Sequence, residues 1–486
     1  MKRDNARMAG MLMPVASLPS ADGVGSLGRE AYHLVDCMSD MGFRIWQLLP
    51  MNPLGYGNSP YQPYSSYAGD ELYIDLDMLA EDGYLAGQRD ALPCSGRIDY
   101  DAARSHKLPY LKEAFKEFEV QGKENTAFEE FCREDWVYPY AVFISLKKNN
   151  DMRCWNEWPD DQRDWILDQA YDLTPYEEEI RFQMFLQYMF RKQWRALKEY
   201  ANSKGILIMG DVPFYVGIDS LDVWKDRESF LLDTDARPIF IAGVPPDYFS
   251  PTGQRWGNPI YNWEMLEKTG FRFWIDRLHY SSTLYDIIRM DHFRAFDTYW
   301  KIPAASETAV EGEWMEAPGY ALFDKLFEEL PDIWIVAEDL GDLRPEVLEL
   351  RDAYDLPGMN IAEFSLLAPD NTKNQVIYTG THDNQTVIGW YKSLEAQERE
   401  KVDRRLRREG SREKNVSYRM LHYVLHSIAD YAIIPLMDLL ELDDSARLNT
   451  PGTVGSPNWE WQLGSLDELE ERRKSIRRML RYAGRI

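Results

Sequence analysis

The chain has 486 residues, of which 44% are hydrophobic, and a formal net charge of -26. This charge argues against a nucleic-acid partner, because phosphate groups bind to basic surfaces. The sequence also predicts no membrane span, because it lacks the run of about 18 or more apolar residues that a transmembrane helix needs. Its length exceeds that of an ordinary single domain but is common for an α/β barrel with insertions.

The N-terminal segment carries Lys2, Arg3 and Arg7 before the apolar run MAGMLMPVA (8–16), and so imitates a signal peptide. No A-x-A cleavage site follows this run, so we predict that it forms a first buried strand. The four cysteines of the chain are scattered and form no CxxC pair, which is typical of free thiols in a reducing compartment. We therefore expect a cytoplasmic protein.

The sequence predicts no metal site. The cysteines do not have the spacing of zinc ligands. His422 and His426 are one helical turn apart, but no Glu follows the first of them as a zinc protease motif requires. We interpret this pair as ordinary helix packing.

Short apolar runs recur along the chain between longer amphipathic stretches, which is the pattern of parallel strands with crossover helices. No glycine-rich phosphate loop follows the first run, which disfavours a dinucleotide-binding sheet. We predict an α/β fold, a (β/α)8 TIM barrel in a single catalytic domain over 1–486. The predicted strand runs are AGMLMPVA (9–16), FRIWQLLP (43–50), GILIMGDVPFYV (205–216), LYDIIRMDHF (284–293), IWIVAEDL (333–340) and VIYTGTHDN (376–384).

Between about 79 and 200 the pattern changes to helical segments that are rich in charged and aromatic residues. We predict a mainly helical subdomain there, inserted in the barrel and ending in a barrel helix. Near the C-terminus, 466–482 has apolar residues at helical spacing, and its Arg/Lys cluster predicts a solvated helix face.

Four of the predicted strands end in an acidic residue: Asp211, Asp291, Glu338 and Asp383. A single acid at such a position is most often the N-cap of the following helix. Four acids at equivalent positions instead indicate a site, because barrels place their chemistry at the carboxyl ends of the strands. Such a group suits retaining cleavage of a glycosidic bond, which needs an ionised nucleophile and a protonated acid about 5–5.5 Å apart.

The neighbours of these acids suggest different roles. Arg289 precedes Asp291 by two positions, and the period of a strand puts both side chains on one face, so we expect Asp291 to be ionised. Glu338 follows the apolar run WIVA, which favours its protonated form. Asp339 should point to the opposite face and be structural. Asp383, beside His382, is suited to hold sugar hydroxyl groups.

The motifs RMDHFRAF, VAEDLG and YTGTHDN resemble successive conserved regions of the amylomaltase family of the α-amylase clan. The resemblance extends over most of the chain and is specific as a set. It implies a 4-α-glucanotransferase that moves α-1,4-glucan segments between maltooligosaccharides and other glucans, without a metal or an organic cofactor. Further matching segments are GYGNSPYQPYSSYAG (55–69), GDVPFYVGIDSLDVW (210–224), PPDYFSPTGQRWGNP (245–259), ARLNTPGT (446–453) and NWEW (458–461).

The same resemblance implies residue roles. Asp291 matches the nucleophile, Glu338 the general acid/base, and Asp383 the acid that steadies the distorted sugar. Tyr61 matches an aromatic residue that stacks on glucose, and 245–259 matches an active-site loop that favours transfer by excluding water. The remaining predicted substrate-binding residues are Asp211, Arg289, His292 and His382 at the donor side, with Tyr248, Phe249, Gln254 and Trp256 in the loop.

The sequence departs from the usual family pattern at Ala295, Asn384, Gln385 and Met437, which affects details of donor binding but not the reaction class. Three alternatives are weighed against transfer. The same site suits an α-glucan hydrolase, and the aromatic residues suit a non-catalytic glucan-binding protein. A Mg²⁺-dependent enolase-like enzyme also has acids on barrel strands, but no lysine stands at these strand ends to act as its base. The oligomeric state is not predicted.

Overall fold

The computed structural model describes residues 7–246, 250–368, 372–408 and 415–486. Within these residues, eight parallel strands form a barrel in the order β10-β11-β12-β1-β2-β3-β6-β9, and a second, antiparallel sheet has the order β5-β4-β7-β8. The strands are β1 (Met8–Leu12), β2 (Ile45–Gln47), β3 (Leu207–Val212), β4 (Phe240–Val244), β5 (Gln254–Pro259), β6 (Ile287–Met290), β7 (Thr298–Pro303), β8 (Glu313–Glu316), β9 (Ile335–Ala337), β10 (Gly358–Ile361), β11 (Gln375–Tyr378) and β12 (Tyr431–Pro435).

The barrel closes between β9 and β10, where the backbone N–H of Ala337 donates to the Pro357 carbonyl over 2.8 Å. The predicted fold class is therefore confirmed. Six barrel strands match the six predicted runs: four lie within them, and β1 and β11 each begin one residue earlier. The sequence prediction missed β10, a four-residue strand that begins with glycine and contains Asn360, and β12, whose apolar residues run directly into a following helix.

Helices surround the barrel, and none of the described helices is long and apolar enough to cross a membrane. They are α1 (Arg29–Met41), α2 (Leu76–Glu81), α3 (Tyr100–Gln121), α4 (Asn125–Phe131), α5 (Val137–Asn149), α6 (Asp160–Arg163), α7 (Trp165–Asp168), α8 (Glu177–Ser203), α9 (Leu221–Lys225), α10 (Trp263–Lys268), α11 (Arg272–Leu284), α12 (Gly319–Glu329), α13 (Pro345–Ala353), α14 (Ala362–Ser365), α15 (Val387–Ser393), α16 (Ala396–Arg408), α17 (Val416–His426), α18 (Leu436–Leu439) and α19 (Asp467–Tyr482).

Capping residues determine where several helices begin and end. Asp75 caps α2 by accepting from the backbone N–H of Met78, and Asp99 caps α3 in the same way through Ala102. Helix α1 ends at Met41, and its C-cap Gly42 has a φ of 99°, which suits a residue without a Cβ atom. These caps fix where α2 and α3 begin and where α1 ends.

Helices α2 to α8 fill the stretch between β2 and β3, which the structure describes without a gap. The last of them, α8, packs against α1, with the Tyr200 hydroxyl donating to Asp36 over 2.7 Å. Our proposal of an inserted subdomain over about 79–200 rests on this run of helices, in which α8 also serves as a barrel helix.

The predicted active-site loop 245–259 is not irregular throughout, because its second half is strand β5. Antiparallel pairing with β4, for example Gly243 opposite Arg255, accounts for this difference. Since side chains alternate along a strand, Gln254 and Trp256 share one face of this sheet.

Candidate active site

The four predicted acids lie at the carboxyl ends of barrel strands. Asp211 is within β3, Asp291 directly follows β6, Glu338 directly follows β9, and Asp383 lies in the loop after β11. Strands β3, β6 and β9 are consecutive neighbours in the barrel. The fold therefore brings these residues, which are distant in sequence, together at one open end of the barrel, the mouth.

Arg289 lies between two of these carboxylates. Its Nη1 atom is 2.7 and 2.8 Å from the two oxygens of Asp211, and 3.0 Å from Oδ1 of Asp291. The register of β3 against β6 pairs Asp211 with Arg289, so this contact is set by the backbone. Burial disfavours the charged guanidinium, but the two carboxylates outweigh it and hold the pKa of Arg289 above its usual range.

Asp291 and Glu338 lie side by side. The β6–β9 register pairs Met290 with Ala337, and the backbone N–H of Glu338 continues it by donating to the Met290 carbonyl over 3.0 Å. Neighbouring strands are about 4.8 Å apart. The adjacent positions thus suit the separation of about 5–5.5 Å that retaining glycoside chemistry requires.

The environment of Glu338 favours its protonated form. Burial, opposed by Arg289 and assisted by Asp291, raises the pKa of Glu338 to about 8. Backbone N–H groups of His292 and Leu340 donate to its two oxygens over 2.7 and 3.2 Å and fix the carboxyl group without adding a full charge. Glu338 is therefore an acid at neutral pH.

Asp383 has the opposite environment. Although burial opposes ionisation, His382, Asn449 and Arg289 together lower the pKa of Asp383 below its ordinary value. The Asn449 amide donates to Oδ1 over 2.6 Å, and the His382 Nε2 atom is 3.4 Å from Oδ2. This carboxylate is ionised, and its side chain is 44% exposed.

Tyr61 and His382 connect the two sides of the mouth. The Tyr61 hydroxyl donates to Asp211 over 2.7 Å and is 2.8 Å from His382 Nε2. Because the hydroxyl has one proton, Nε2 must carry the imidazole proton and donate it to the Tyr61 oxygen. The Tyr61 and His382 rings are stacked with their centroids 5.3 Å apart, and the centroid of the Trp459 ring lies 5.8 Å from that of Tyr61.

The antiparallel sheet brings Trp256 to the site. Its ring meets that of His292 edge to face at 4.9 Å, and its indole N–H donates to Gln254 over 3.2 Å. Burial lowers the pKa of His292 to about 4, so this imidazole is neutral. Tyr248 and Phe249, the other aromatic residues predicted in this loop, lie outside the described residues.

A model of the 4-alpha-glucanotransferase family matches residues 13–467. The chain belongs to this family. It is 43% identical over 477 residues to the 4-alpha-glucanotransferase of Thermus thermophilus, covering 94% of this chain and 95% of that one. With the enzyme of Aquifex aeolicus it shares 40% identity over 493 residues, covering 99% of both chains.

The solved structures agree. An amylomaltase from Streptococcus agalactiae in complex with acarbose superimposes with a TM-score of 0.92, at 35% identity and 99% coverage of both chains. The amylomaltase of Corynebacterium glutamicum, 17% identical, shares the fold with a TM-score of 0.75. The chain is thus an enzyme of the glucan-transferring class, and the resemblance inferred from the sequence motifs is confirmed.

This membership argues against the enolase-like and non-catalytic alternatives. The geometry also disfavours a magnesium site, since the guanidinium of Arg289 already lies between Asp211 and Asp291, where a second cation would be repelled. Asp339 lies outside the mouth, as expected, and pairs with Arg351.

Sequence reasoning missed two residues of the mouth. Asn449 donates to Asp383, and the Trp459 ring packs beside Tyr61 at a tilt of 45°, yet neither was predicted as a site residue. Both belong to segments that match the family, ARLNTPGT and NWEW, so that similarity was the available signal. No local pattern links them to strand ends, because both are supplied by a loop after the last barrel strand.

The structure shows where each residue that departs from the family pattern lies. Ala295 is fully buried behind His292. The Asn384 side chain accepts from the Thr381 backbone, and Gln385 donates to Asp444 over 2.6 Å. Met437 is buried after β12. None of them replaces one of the four acids.

Proposed function

We propose that this enzyme transfers α-1,4-glucan segments to the 4-hydroxyl group of glucose or of another glucan by a retaining double displacement. Donors and acceptors are maltooligosaccharides and longer chains of the starch and glycogen type. The observation that carries the proposal is the adjacent pair Asp291 and Glu338, one beside a guanidinium and the other with a raised pKa.

In the first step, an Asp291 oxygen attacks the anomeric carbon of the donor, and the bond to the leaving 4-oxygen breaks. Glu338 gives its proton to that oxygen, so the shortened glucan leaves as an alcohol. The products are a glucosyl ester on Asp291 and a carboxylate at Glu338. Arg289 donates a hydrogen bond to Asp291 over 3.0 Å, which positions the attacking carboxyl group, and does not compete for the proton, because it remains charged.

In the second step, the Glu338 carboxylate removes the proton of the acceptor 4-hydroxyl as that oxygen attacks the anomeric carbon. The ester bond to Asp291 breaks, and both carboxyl groups return to their starting state. Positive charge develops on the sugar ring in both steps. Asp383, ionised and partly exposed, stabilises this charge, while His382 and Tyr61 bind donor hydroxyl groups.

Transfer requires the acceptor hydroxyl to react faster than water at the ester. Trp256, packed on His292, provides an apolar ring face at the rim of the mouth, which favours a sugar over water. We propose that His292, together with Tyr248 and Phe249 of the loop that carries Trp256, also favours a sugar over water, and that Gln254 orients Trp256 by accepting from its indole N–H. Hydrolysis at the same acids is the competing outcome.

The test supplies maltotriose to the purified enzyme. We expect glucose together with longer maltooligosaccharides and no net gain in reducing ends. A steady rise in reducing ends without longer products would contradict transfer while leaving a glycosidase site in place. Asp291→Asn is the control, because it should yield neither product set and no trapped glucosyl ester.

We also propose a cytoplasmic location. All four cysteines are free in the structure, as expected in a reducing compartment. Fractionation of the source cells with an assay of transfer activity tests this location, and activity outside the cytoplasmic fraction would contradict it.

A further inference from the structure

A cluster of metal-ligating side chains lies on the outer wall of the barrel, between α1 and α19. His33 and Cys37 are four positions apart on α1 and share one face of the helix. Glu470 approaches them from the first turns of α19. The His33 Nε2 atom is 2.8 Å from Glu470 Oε1, Cys37 Sγ is 4.0 Å from the same oxygen, and all three ligand atoms lie within 4.8 Å of one another.

The three atoms are a nitrogen, a sulfur and an oxygen, a combination that zinc binds in proteins. With bonds of about 2.0–2.3 Å, ligand atoms around tetrahedral zinc lie about 3.3–3.8 Å apart, so shifts of about 1 Å suffice here. The other ring nitrogen of His33, Nδ1, is 3.7 Å from Glu30 Oε2. Such a carboxylate behind a histidine is the usual partner that orients a metal-binding imidazole.

We propose that His33 Nε2, Cys37 Sγ and Glu470 Oε1 bind a divalent transition-metal ion, with zinc as the best match and water in the fourth position. The ion would bridge the first and last helices of the barrel, which the His33–Glu470 contact and a hydrogen bond from Arg473 to Asp40 over 2.7 Å also connect. The site is structural, independent of the proposed transfer mechanism, and remote in function from Asp291 and Glu338.

The surroundings favour a cation. Cys37 is 3% exposed and lies at the base of the cluster, whereas the side chains of His33 and Glu470 are 35% and 46% exposed, which leaves a path from solvent. The charged groups that face Cys37 and His33 are Glu30, Asp36 and Asp40 on α1 with Glu470 and Arg473 on α19, and Lys204 of α8 is paired with Asp36. Four carboxylates thus outnumber two cations.

Binding must release a proton from sulfur. Burial, together with Glu470, raises the pKa of Cys37 to about 11, so the free protein holds a thiol there. The step is M²⁺ plus Cys–SH giving M²⁺–S–Cys plus H⁺, with no change in oxidation state. Affinity should therefore fall as the pH is lowered.

The experiment uses Co²⁺ as a spectroscopic probe on the full-length enzyme. We expect one Co²⁺ per chain by equilibrium dialysis, a thiolate-to-cobalt charge-transfer band in the near ultraviolet, and displacement of the band by one equivalent of Zn²⁺. Cys37→Ser should abolish the band, and the triple variant C94S/C132S/C154S should retain it. Absence of the band, or its persistence in Cys37→Ser, would overturn the proposal.

Because Cys37 is buried, a variant there can lose the band through misfolding. A second variant at a partly exposed ligand therefore separates loss of metal binding from loss of the fold. His33→Gln changes a partly exposed side chain and should weaken Co²⁺ binding by about 10-fold or more, while the far-ultraviolet circular dichroism and transfer of maltotriose stay unchanged. Unaltered affinity in His33→Gln would also overturn the proposal. The same measurements separate this site from the mouth, because wild-type transfer should be equal with and without one bound Zn²⁺.

Discussion

Glu338 and Asp383 lie at the same barrel mouth in opposite electrostatic surroundings. At the end of the fifth barrel strand, Glu338 accepts two backbone hydrogen bonds, and its pKa rises to about 8. In the loop after the seventh strand, Asp383 accepts from the Asn449 amide beside the His382 imidazole, and its pKa is lowered. Burial acts on both groups in the same direction.

The difference therefore comes from the donors. Side chains of loop residues donate to Asp383, whereas the hydrogen bonds that Glu338 accepts come only from the backbone N–H groups of His292 and Leu340. Arg289 is nearby in both cases, but next to Glu338 its effect is opposed by the charge of Asp291. One fold thus provides an acid and a permanent anion at the same mouth.

The largest expected effect follows from removing the acid. Glu338→Gln should lower kcat/KM for maltotriose by about 10²–10⁴-fold, because general acid catalysis is lost. A donor with a fluoride leaving group needs no protonation, so α-glucosyl fluoride should still form the ester on Asp291. Mass spectrometry of the trapped ester and steady-state rates measure the two effects.

Asp339→Asn is the matched control for this variant. Asp339 is adjacent in sequence but pairs with Arg351 outside the mouth. Its activity should stay within about 3-fold of the wild type, as for a change away from the reacting groups. Equal losses of activity in Glu338→Gln and Asp339→Asn would show that the effect comes from changing this segment and not from the acidity of Glu338.

Removing a donor of Asp383 should have a smaller effect. Asn449→Ala deletes a hydrogen bond to an ionised group, worth about 10–100-fold, and this loss should appear mainly in kcat. It should also raise the pKa of Asp383, so that the acidic limb of the kcat profile moves to higher pH.

Thr450→Ala provides the comparison on the same loop, since Thr450 is exposed and the donors of Asp383 remain. Its acidic limb should match that of the wild type. If Asn449→Ala leaves the acidic limb unchanged, the donors do not set the ionisation of Asp383.

The pH profile of the wild-type enzyme should show the acid directly. In the proposed mechanism Glu338 must be protonated for the first step, and it loses its proton as the pH rises through about 8. The value of kcat/KM for maltotriose should fall above that pH, by about 10-fold for each further unit. With α-glucosyl fluoride this alkaline limb should be absent. An identical limb for both donors would assign it to another group.

The sequence allowed the prediction of those parts of the mouth that depend on local pattern. Apolar runs ending in acids indicated Asp211, Asp291, Glu338 and Asp383, and the period of a strand placed Arg289 beside Asp291. Strands β10 and β12 were missed because a short strand with polar residues, and an apolar strand continuous with a helix, lack a distinct pattern.

Local sequence patterns do not predict contacts between segments that are distant in the chain. Asn449 is 66 positions from Asp383, and Glu470 is 433 positions from Cys37. Cysteine spacing alone predicted no metal site, since the other two proposed ligands are a histidine on α1 itself and a glutamate that only the packing of α19 on α1 brings near. Such groups form only once the barrel has closed.

The smallest expected effect is on stability. The raised pKa of Glu338 contributes stability that is fully present below its ordinary value of 4.5 and is lost as the pH rises through about 8. Glu338→Gln is neutral at every pH, so its Tm relative to wild type should increase between pH 6 and pH 9, by about 1–3 °C. Asp383→Asn should show no such alkaline trend, because Asp383 is ionised throughout this range. Equal Tm differences for Glu338→Gln at both pH values, measured by scanning calorimetry, would mean that Glu338 does not change its charge there.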